Sequence, residues 1–153
     1  MNFKNFTIKT QEAIEKSQLL AQEFGHQQIE NEHIFKAITE VDENVTPFIL
    51  KKLNVNVSLF IQILDNTLKS FPKVSGGEIV LSREAGKSLN EASIIAKKMN
   101  DDYVSIEHLI LSIFKSKSKI AQVMKDQGVN EKNLEAAIHE LRKGDRVTSQ
   151  SAE

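Results

Sequence analysis

The chain has 153 residues, of which 40% are hydrophobic and 27% are charged, with a formal net charge of −1. This composition is typical of one soluble domain with its own core, and the dispersed basic residues argue against a nucleic-acid partner. The absence of cysteine excludes disulfides and thiolate metal sites. Without a signal core or a run of membrane-spanning length, the chain is expected in the cytoplasm and away from membranes.

The first predicted element is an amphipathic helix over residues 8–24, where apolar and small side chains recur on one face at helical spacing. Thr7 can cap the start of this helix, and Gly25 can end it. Three more helices follow, and the second of these begins with a Thr46 cap and Pro47 at the first helical position. Their predicted ranges are 31–40, 47–53 and 57–70.

The second half of the chain repeats the first half with an offset of 75 residues. The clearest match is an identical Glu-His pair at residues 32–33 and 107–108, flanked by apolar positions of the same character. A shorter loop then changes the offset to 74, so that residues 50–55 align with residues 124–129. The repeat predicts four further helices over about 83–100, 106–115, 118–127 and 131–143.

We therefore expect residues 1–143 to form one all-α domain of about eight helices, in which two pseudo-symmetric four-helix repeats pack on each other. Repeat 1 covers about residues 1–70, the link between the repeats covers 71–80, and repeat 2 covers about 81–143. The last ten residues, 144–153, contain almost no apolar side chain and predict the start of a flexible linker to further domains.

The link and the start of repeat 2 contain a possible nucleotide motif. Gly86-Lys87-Ser88 spells the end of a phosphate-binding loop, but that motif requires a glycine at position 81, where the chain has Leu81. Ser82 is the predicted cap of the next helix, so the tripeptide falls inside that helix. The sequence favours a non-catalytic domain without a cofactor, and an ATP-binding enzyme is the weaker alternative.

Two equivalent histidines, His33 and His108, follow the repeated glutamates. Because their spacing is not that of two ligands on one helix, we expect equal packing or hydrogen-bonding roles in both repeats instead of a metal site. Asp101 and Glu107 belong to the connection between two helices of repeat 2. Glu107 can complement the helix dipole; in the functional interpretation, both acids lie on a rim next to Thr7.

The outward faces of the first helix of each repeat suggest a binding surface. At 100° per residue, Leu19 points nearly opposite to the apolar stripe of its helix, and its equivalent Ile94 does the same. Two large apolar residues at matching outward positions can form a binding surface. They can equally pack against neighbouring helices or be ordinary exposed residues.

The order and spacing of these motifs resemble the Clp N-terminal repeat family over essentially the whole chain. In repeat 1 the matching residues are 6–14, 25–26 and 29–33, and in repeat 2 they are 81–82 and 102–109. The link at 72–77 and the ending at 146–153 are similar to the ClpB branch of this family, and less so to the ClpA or ClpC branch.

The resemblance implies a mobile, all-helical module that engages substrate polypeptide and has no nucleotide site of its own. Members of the ClpB branch are hexameric AAA+ disaggregases of the bacterial cytoplasm. They use ATP and magnesium to thread aggregated polypeptides through a central pore, together with the Hsp70 system. The isolated domain is then expected to be a monomer that binds unfolded or aggregated chains, and adaptor docking, as in the ClpA and ClpC branches, is the alternative.

The resemblance also implies which residues take part. In the family, the cap at the position of Thr7 and the acidic positions matching Asp101 and Glu107 are implicated in chaperone activity. Combined with the outward apolar residues, this predicts a polypeptide-binding site without catalytic residues or metal. Its members are Thr7, Leu19, Ile94, Ile95, Asp101 and Glu107.

Overall fold

Eight helices make up most of the computed structural model, which describes residues 2–152. Repeat 1 contains α1 (Ile8–Phe24), α2 (Asn31–Val41), α3 (Val45–Lys52) and α4 (Val57–Ser70). Repeat 2 contains α5 (Arg83–Lys98), α6 (Ile106–Phe114), α7 (Lys119–Asp126) and α8 (Glu131–Arg142). The predicted all-α class is confirmed. No single helix in the described part is long and apolar enough to cross a membrane, and the one pair that passes together, α3 with α4, is bent by 113°.

The first helix of each repeat begins at the predicted cap. Thr7 Oγ1 accepts the Thr10 N–H at 3.2 Å, and Ser82 Oγ accepts the Ala85 N–H at 3.1 Å. Gly25 ends α1 in the left-handed conformation with φ 76°, which glycine adopts without a Cβ penalty. These local signals therefore determine where α1 and α5 start and where α1 ends.

The predicted start of α3 is wrong by two residues. The helix begins at Val45, because the buried Asp42 carboxylate accepts hydrogen bonds from the backbone N–H groups of Asn44, Val45 and Thr46. The Thr46 hydroxyl donates to the same carboxylate at 2.6 Å. Pro47 falls at the third helical position, where a missing N–H costs nothing because the first four N–H groups have no acceptor within the helix.

The two repeats pack on each other by exchanging helix contacts. Within each repeat the first two helices pack together, α1 on α2 and α5 on α6. Across the repeats, α3 of repeat 1 packs on α8 of repeat 2. The equivalent helices, α7 of repeat 2 and α4 of repeat 1, also pack on each other. One hydrophobic core runs through both repeats as a consequence.

Two short strand pairings join the repeats at the segments that precede α1 and α5. Strand β1 (Gln28–Ile29) pairs in parallel with β2 (Val80–Leu81), and Phe6 forms an isolated parallel bridge with Val104. The offset of 75 relates Phe6 to Leu81 and Ile29 to Val104, so the two pairings are one contact made twice. The segment before α5 thus contains a two-residue strand, Val80–Leu81, that joins the repeats.

The chain beyond α8 continues along the domain, where the sequence predicts a flexible linker. Val147 is buried; its N–H donates to Asp101 Oδ1 at 2.9 Å, and its carbonyl accepts the Asp102 N–H at 2.8 Å. The Gln150 carbonyl accepts the Ile8 N–H at 2.8 Å. The tail therefore covers the start of α1 and the connection between α5 and α6.

Candidate functional site

Two predicted site residues meet in a buried group of charges in repeat 2, which we call the ionic cluster: Asp101, Glu107, His108 and Arg142. Arg142, from the last turn of α8, donates from Nε to Glu107 Oε2 at 2.7 Å and from Nη1 to Asp101 Oδ2 at 2.8 Å. His108 Nε2 lies 2.7 Å from the same Asp101 oxygen. All four side chains are at most 9% exposed, so the cluster is largely shielded from bulk water.

Within the ionic cluster, hydrogen bonds and the attraction between opposite charges offset the effect of burial on the pKa values of Asp101 and Arg142. Burial by itself raises the pKa of Asp101, but hydrogen bonds from Val147, Arg142 and His108 together hold this pKa below its usual value. Burial lowers the pKa of His108 despite its acidic neighbours. Burial also opposes the charge of Arg142, yet attraction to Glu107 raises the Arg142 pKa overall.

His108 has a defined hydrogen-bonding role in this cluster. Its Nδ1 accepts the backbone N–H of Ser105, the residue that precedes α6, at 2.8 Å. The neutral ring therefore carries its proton on Nε2 and donates to Asp101. The cluster ties the end of α8 to the connection between α5 and α6, which makes it a clamp between two parts of repeat 2.

Asp101 and Glu107, which the functional interpretation places on a rim next to Thr7, have side chains that are only 0% and 4% exposed. The predicted neighbourhood is correct: the Thr7 N–H donates to the Val104 carbonyl at 2.9 Å, between the two acids in sequence. Thr7 itself is 0% exposed. All three residues can hold this region in place but cannot make wide contact with a partner.

Sequence reasoning missed Arg142, which pairs with both acids. The signal was available in the repeat: with the offset of 74, Arg142 is equivalent to Leu68, a core residue of α4. A charged residue at a core position requires a buried partner of opposite charge.

The exposed members of the predicted site are Leu19 and Ile94. Their exposed fractions are 51% and 39%, and they lie on α1 and α5 at equivalent positions, as the outward direction predicts. Ile95 is buried in the core and is one of the residues lining a cavity of about 250 Å³ between α5, α6 and α8. Leu19 and Ile94 thus provide the accessible apolar surface of the predicted set.

A groove in repeat 1 contains none of the predicted residues. It lies between the end of α2, α3 and the start of α4 and has a volume of about 790 Å³. Its wall is largely apolar, and the polar residues that also line it include Thr39, Lys51, Glu40 and Asp42. We call it the repeat 1 groove; its apolar wall consists of Pro47, Leu50, Val55, Val57 and Ile61.

The nucleotide motif lies inside a helix, as the repeat predicts. Gly86-Lys87-Ser88 belongs to α5, where the Lys87 ammonium pairs with Glu84 at 3.5 Å and the Ser88 side chain is buried. The backbone N–H groups of a helix interior already have acceptors within the helix and do not point at a phosphate. Among residues 2–152, no three histidine, aspartate or glutamate side chains are placed to hold a metal ion.

Comparisons with known proteins match this architecture. The model of the Clp repeat (R) N-terminal domain family matches residues 5–127. Over its full length, the chain is 48% identical to the chaperone protein ClpB of Bacteroides thetaiotaomicron and 41% identical to that of Porphyromonas gingivalis. The chain spans about 18% of the length of each of these relatives.

Solved structures show the same fold. The Hsp104 N-terminal domain from Candida albicans superposes with a TM-score of 0.86 at 23% identity, covering 97% of this chain and 99% of that one. The N-terminal domain of the ClpV1 ATPase from E. coli superposes with a TM-score of 0.81 at 15% identity, covering 99% and 92%. At these identities the likeness concerns the fold alone.

Proposed function

The chain belongs to the Clp N-terminal domain family, and from that premise we propose that it binds unfolded or aggregated polypeptide for a ClpB-type disaggregase. The similarity to ClpB chaperones over the full length of the chain carries this proposal. In it, this domain is non-catalytic, and the rest of a longer protein uses ATP and magnesium. That protein acts as a cytoplasmic homohexamer together with the Hsp70 system.

The exposed apolar side chains support a role in binding unfolded chains. Leu19 and Ile94 offer apolar surface at two equivalent positions, and unfolded polypeptides expose apolar segments that gain about 25 cal/mol per Å² when buried. Two isolated side chains give weak affinity. Six tethered copies around one pore raise the effective concentration, so that weak sites suffice.

In this proposal the buried members of the predicted site act as positioning residues. Thr7 caps α1, which carries Leu19, and the ionic cluster holds Asp101 and Glu107 beside the end of α5, which carries Ile94. Changes at these buried residues then alter binding through the position of the helices. Ile95 contributes by packing in the core and so holding α5, which carries Ile94, in place.

The test is a titration of unfolded casein into the isotope-labelled domain. We expect amide shifts centred on Leu19 and Ile94 and an affinity that falls about fivefold or more when both are changed to serine. Leu59→Ser is the matched control, because Leu59 is an equally large side chain that is 41% exposed on α4. Equal binding by the double variant and this control would remove Leu19 and Ile94 from the site.

Docking of a folded adaptor is the rival outcome. In that case the domain would not bind casein, and it would retain one stoichiometric folded partner from a lysate. The two activities separate cleanly, because an adaptor is captured from native lysate whereas unfolded chains are captured after heat denaturation of the lysate.

A further inference from the structure

The pseudo-symmetry of the two repeats indicates what the repeat 1 groove lacks. Thr39, near the end of α2, lies at the edge of the groove, and its hydroxyl donates to the Lys36 carbonyl of its own helix at 2.6 Å. Its equivalent at the end of α6 is Phe114. The Phe114 side chain is packed into the core with 5% exposure. Repeat 2 therefore contains an aromatic ring at the position where repeat 1 has a small side chain beside a groove.

The residues that line the repeat 1 groove also differ from those that line the cavity of repeat 2. Val57 and Ile61 line the repeat 1 groove, and their equivalents on α8 are Glu131 and Glu135. Both glutamates line the cavity of repeat 2, which is about 250 Å³, against about 790 Å³ for the groove. Repeat 1 thus has the larger space, with Val57 and Ile61 on its wall at the positions where repeat 2 has two glutamates.

The charge at the edge of the groove complements an aromatic ring. In repeat 2 the Lys125 ammonium lies 5.5 Å from the centroid of the Phe114 ring, within the range of a cation–π contact. Its equivalent in repeat 1 is Lys51, which is exposed and lines the groove. The other cation at the groove, Lys36, is paired with Asp65 at 2.9 Å. Lys51 is therefore the cation placed to cover a ring that enters from outside.

We propose that the repeat 1 groove binds an aromatic side chain of an unfolded polypeptide, in the position that Phe114 occupies in repeat 2. Lys51 covers the bound ring as Lys125 covers Phe114, and Val57 and Ile61 form the apolar wall. A groove of about 790 Å³ accommodates one such side chain together with its neighbours. This inference rests on the proposed function, for which it names the preferred side chain and a second contact surface.

The test uses three unstructured peptides that differ only at a central Phe, Leu or Ser. For the wild-type domain we expect the Phe peptide to bind about tenfold more tightly than the Ser peptide, with amide shifts at the groove. Thr39→Phe fills the space from within, so this variant should lose the preference for Phe. Thr67→Phe is the matched control, because Thr67 is also a half-buried helical threonine bonded to its own helix, and it does not line the groove.

A second variant tests the charge without filling the groove. Lys51→Met removes the positive charge and retains an unbranched side chain of similar length. We expect the preference for Phe over Leu to fall about twofold to fivefold. Circular dichroism and thermal melting of each variant establish that it is folded. If Thr39→Phe were unfolded, Lys51→Met and the peptide series on the wild-type domain would still decide the proposal.

The outcomes separate this inference from the proposed function. If the wild-type domain binds casein but shows no preference for Phe, or if Thr39→Phe keeps that preference, the groove proposal is overturned and the proposed function stands. If the wild-type domain binds neither casein nor any peptide, both are overturned. Loss of Phe preference in Thr39→Phe but not in Thr67→Phe supports the proposal.

Discussion

The two repeats hold the same histidine in opposite surroundings. His33 and His108 each accept, through Nδ1, the backbone N–H of the residue that precedes their helix, at 2.9 and 2.8 Å. The equal hydrogen-bonding role predicted for the pair is thereby confirmed. Through Nε2, each ring meets the residue seven positions earlier at 2.7 Å, which is His26 in repeat 1 and Asp101 in repeat 2.

The neighbours of these pairs differ in kind. In repeat 1, the ring of Phe24 stacks on His26 with centroids 5.4 Å apart, and Phe71 contacts both histidines. In repeat 2, the guanidinium of Arg142 replaces this aromatic packing. One fold position therefore accepts either an uncharged aromatic group or a compensated ionic group, and the choice determines how each repeat responds to mutation and to acid.

The largest effect is expected from Arg142→Leu, which copies the Leu68 of repeat 1 into repeat 2. This change leaves the buried carboxylates of Asp101 and Glu107 without their guanidinium, and breaking such a pair costs about 3–5 kcal/mol in the free energy of unfolding. Urea denaturation at neutral pH measures the loss.

The matched control for this prediction is Arg146→Leu, because Arg146 lies nearby but its side chain is 56% exposed. We expect it to cost about 1 kcal/mol or less. Equal losses in the two variants would show that Arg142 contributes no more to the free energy of unfolding than a surface charge does. The difference between the repeats would then have no effect on stability.

The next effect is acid sensitivity, to which His33 of repeat 1 contributes a defined part. Burial, together with the neighbouring His26, lowers the pKa of His33 from 6.5 to about 4. Between these two values the unfolded chain binds more protons than the folded chain, so stability is complete above pH 6.5 and falls as the pH approaches 4. A single group with this shift accounts for about 3 kcal/mol. Urea denaturation from pH 7 to pH 4 measures this loss.

His26→Asp isolates the contribution of the histidine pair. It places a carboxylate beside His33, as in repeat 2, which favours the charged ring and raises the His33 pKa. The pKa of His26 is also lowered, first by burial and then by Lys73, so its removal acts in the same direction. We expect a smaller loss of stability in acid for this variant, and parallel pH profiles would contradict the assignment.

The smallest effect has the opposite sign. Gly86 lies inside α5, where the equivalent residue of α1 is Gln11, and alanine is favoured over glycine in a helix by up to about 1 kcal/mol. An added Cβ would lie 3.7 Å from Leu81 Cδ2, an ordinary contact. We expect Gly86→Ala to raise the melting temperature, whereas Gly25→Ala, at a positive φ, should lower it. An unchanged or lower melting temperature for Gly86→Ala would contradict this.

Local features of the sequence were sufficient to predict the helices of both repeats. Hydrophobic spacing and the caps at Thr7 and Ser82 involve residues a few positions apart, and the eight predicted helices match the structure to within a few residues. The start of α3 deviates most among the helix starts. The sequence predicted Thr46 as its cap, whereas the Asp42 carboxylate accepts the N–H groups at the start of this helix. The functional interpretation of the two acids also predicted that Thr7 lies next to the connection holding Asp101 and Glu107, where the structure has the Thr7–Val104 hydrogen bond.

Only the tertiary structure decided which side chains face a partner. A sequence pattern assigns a residue to one face of a helix, but it does not show which distant element covers that face. Asp101 and Glu107 are buried because Arg142 comes to them from 41 and 35 residues away. The tail covers the same region through Val147, and the repeat 1 groove lies beside Thr39, whose equivalent in repeat 2 is the buried Phe114.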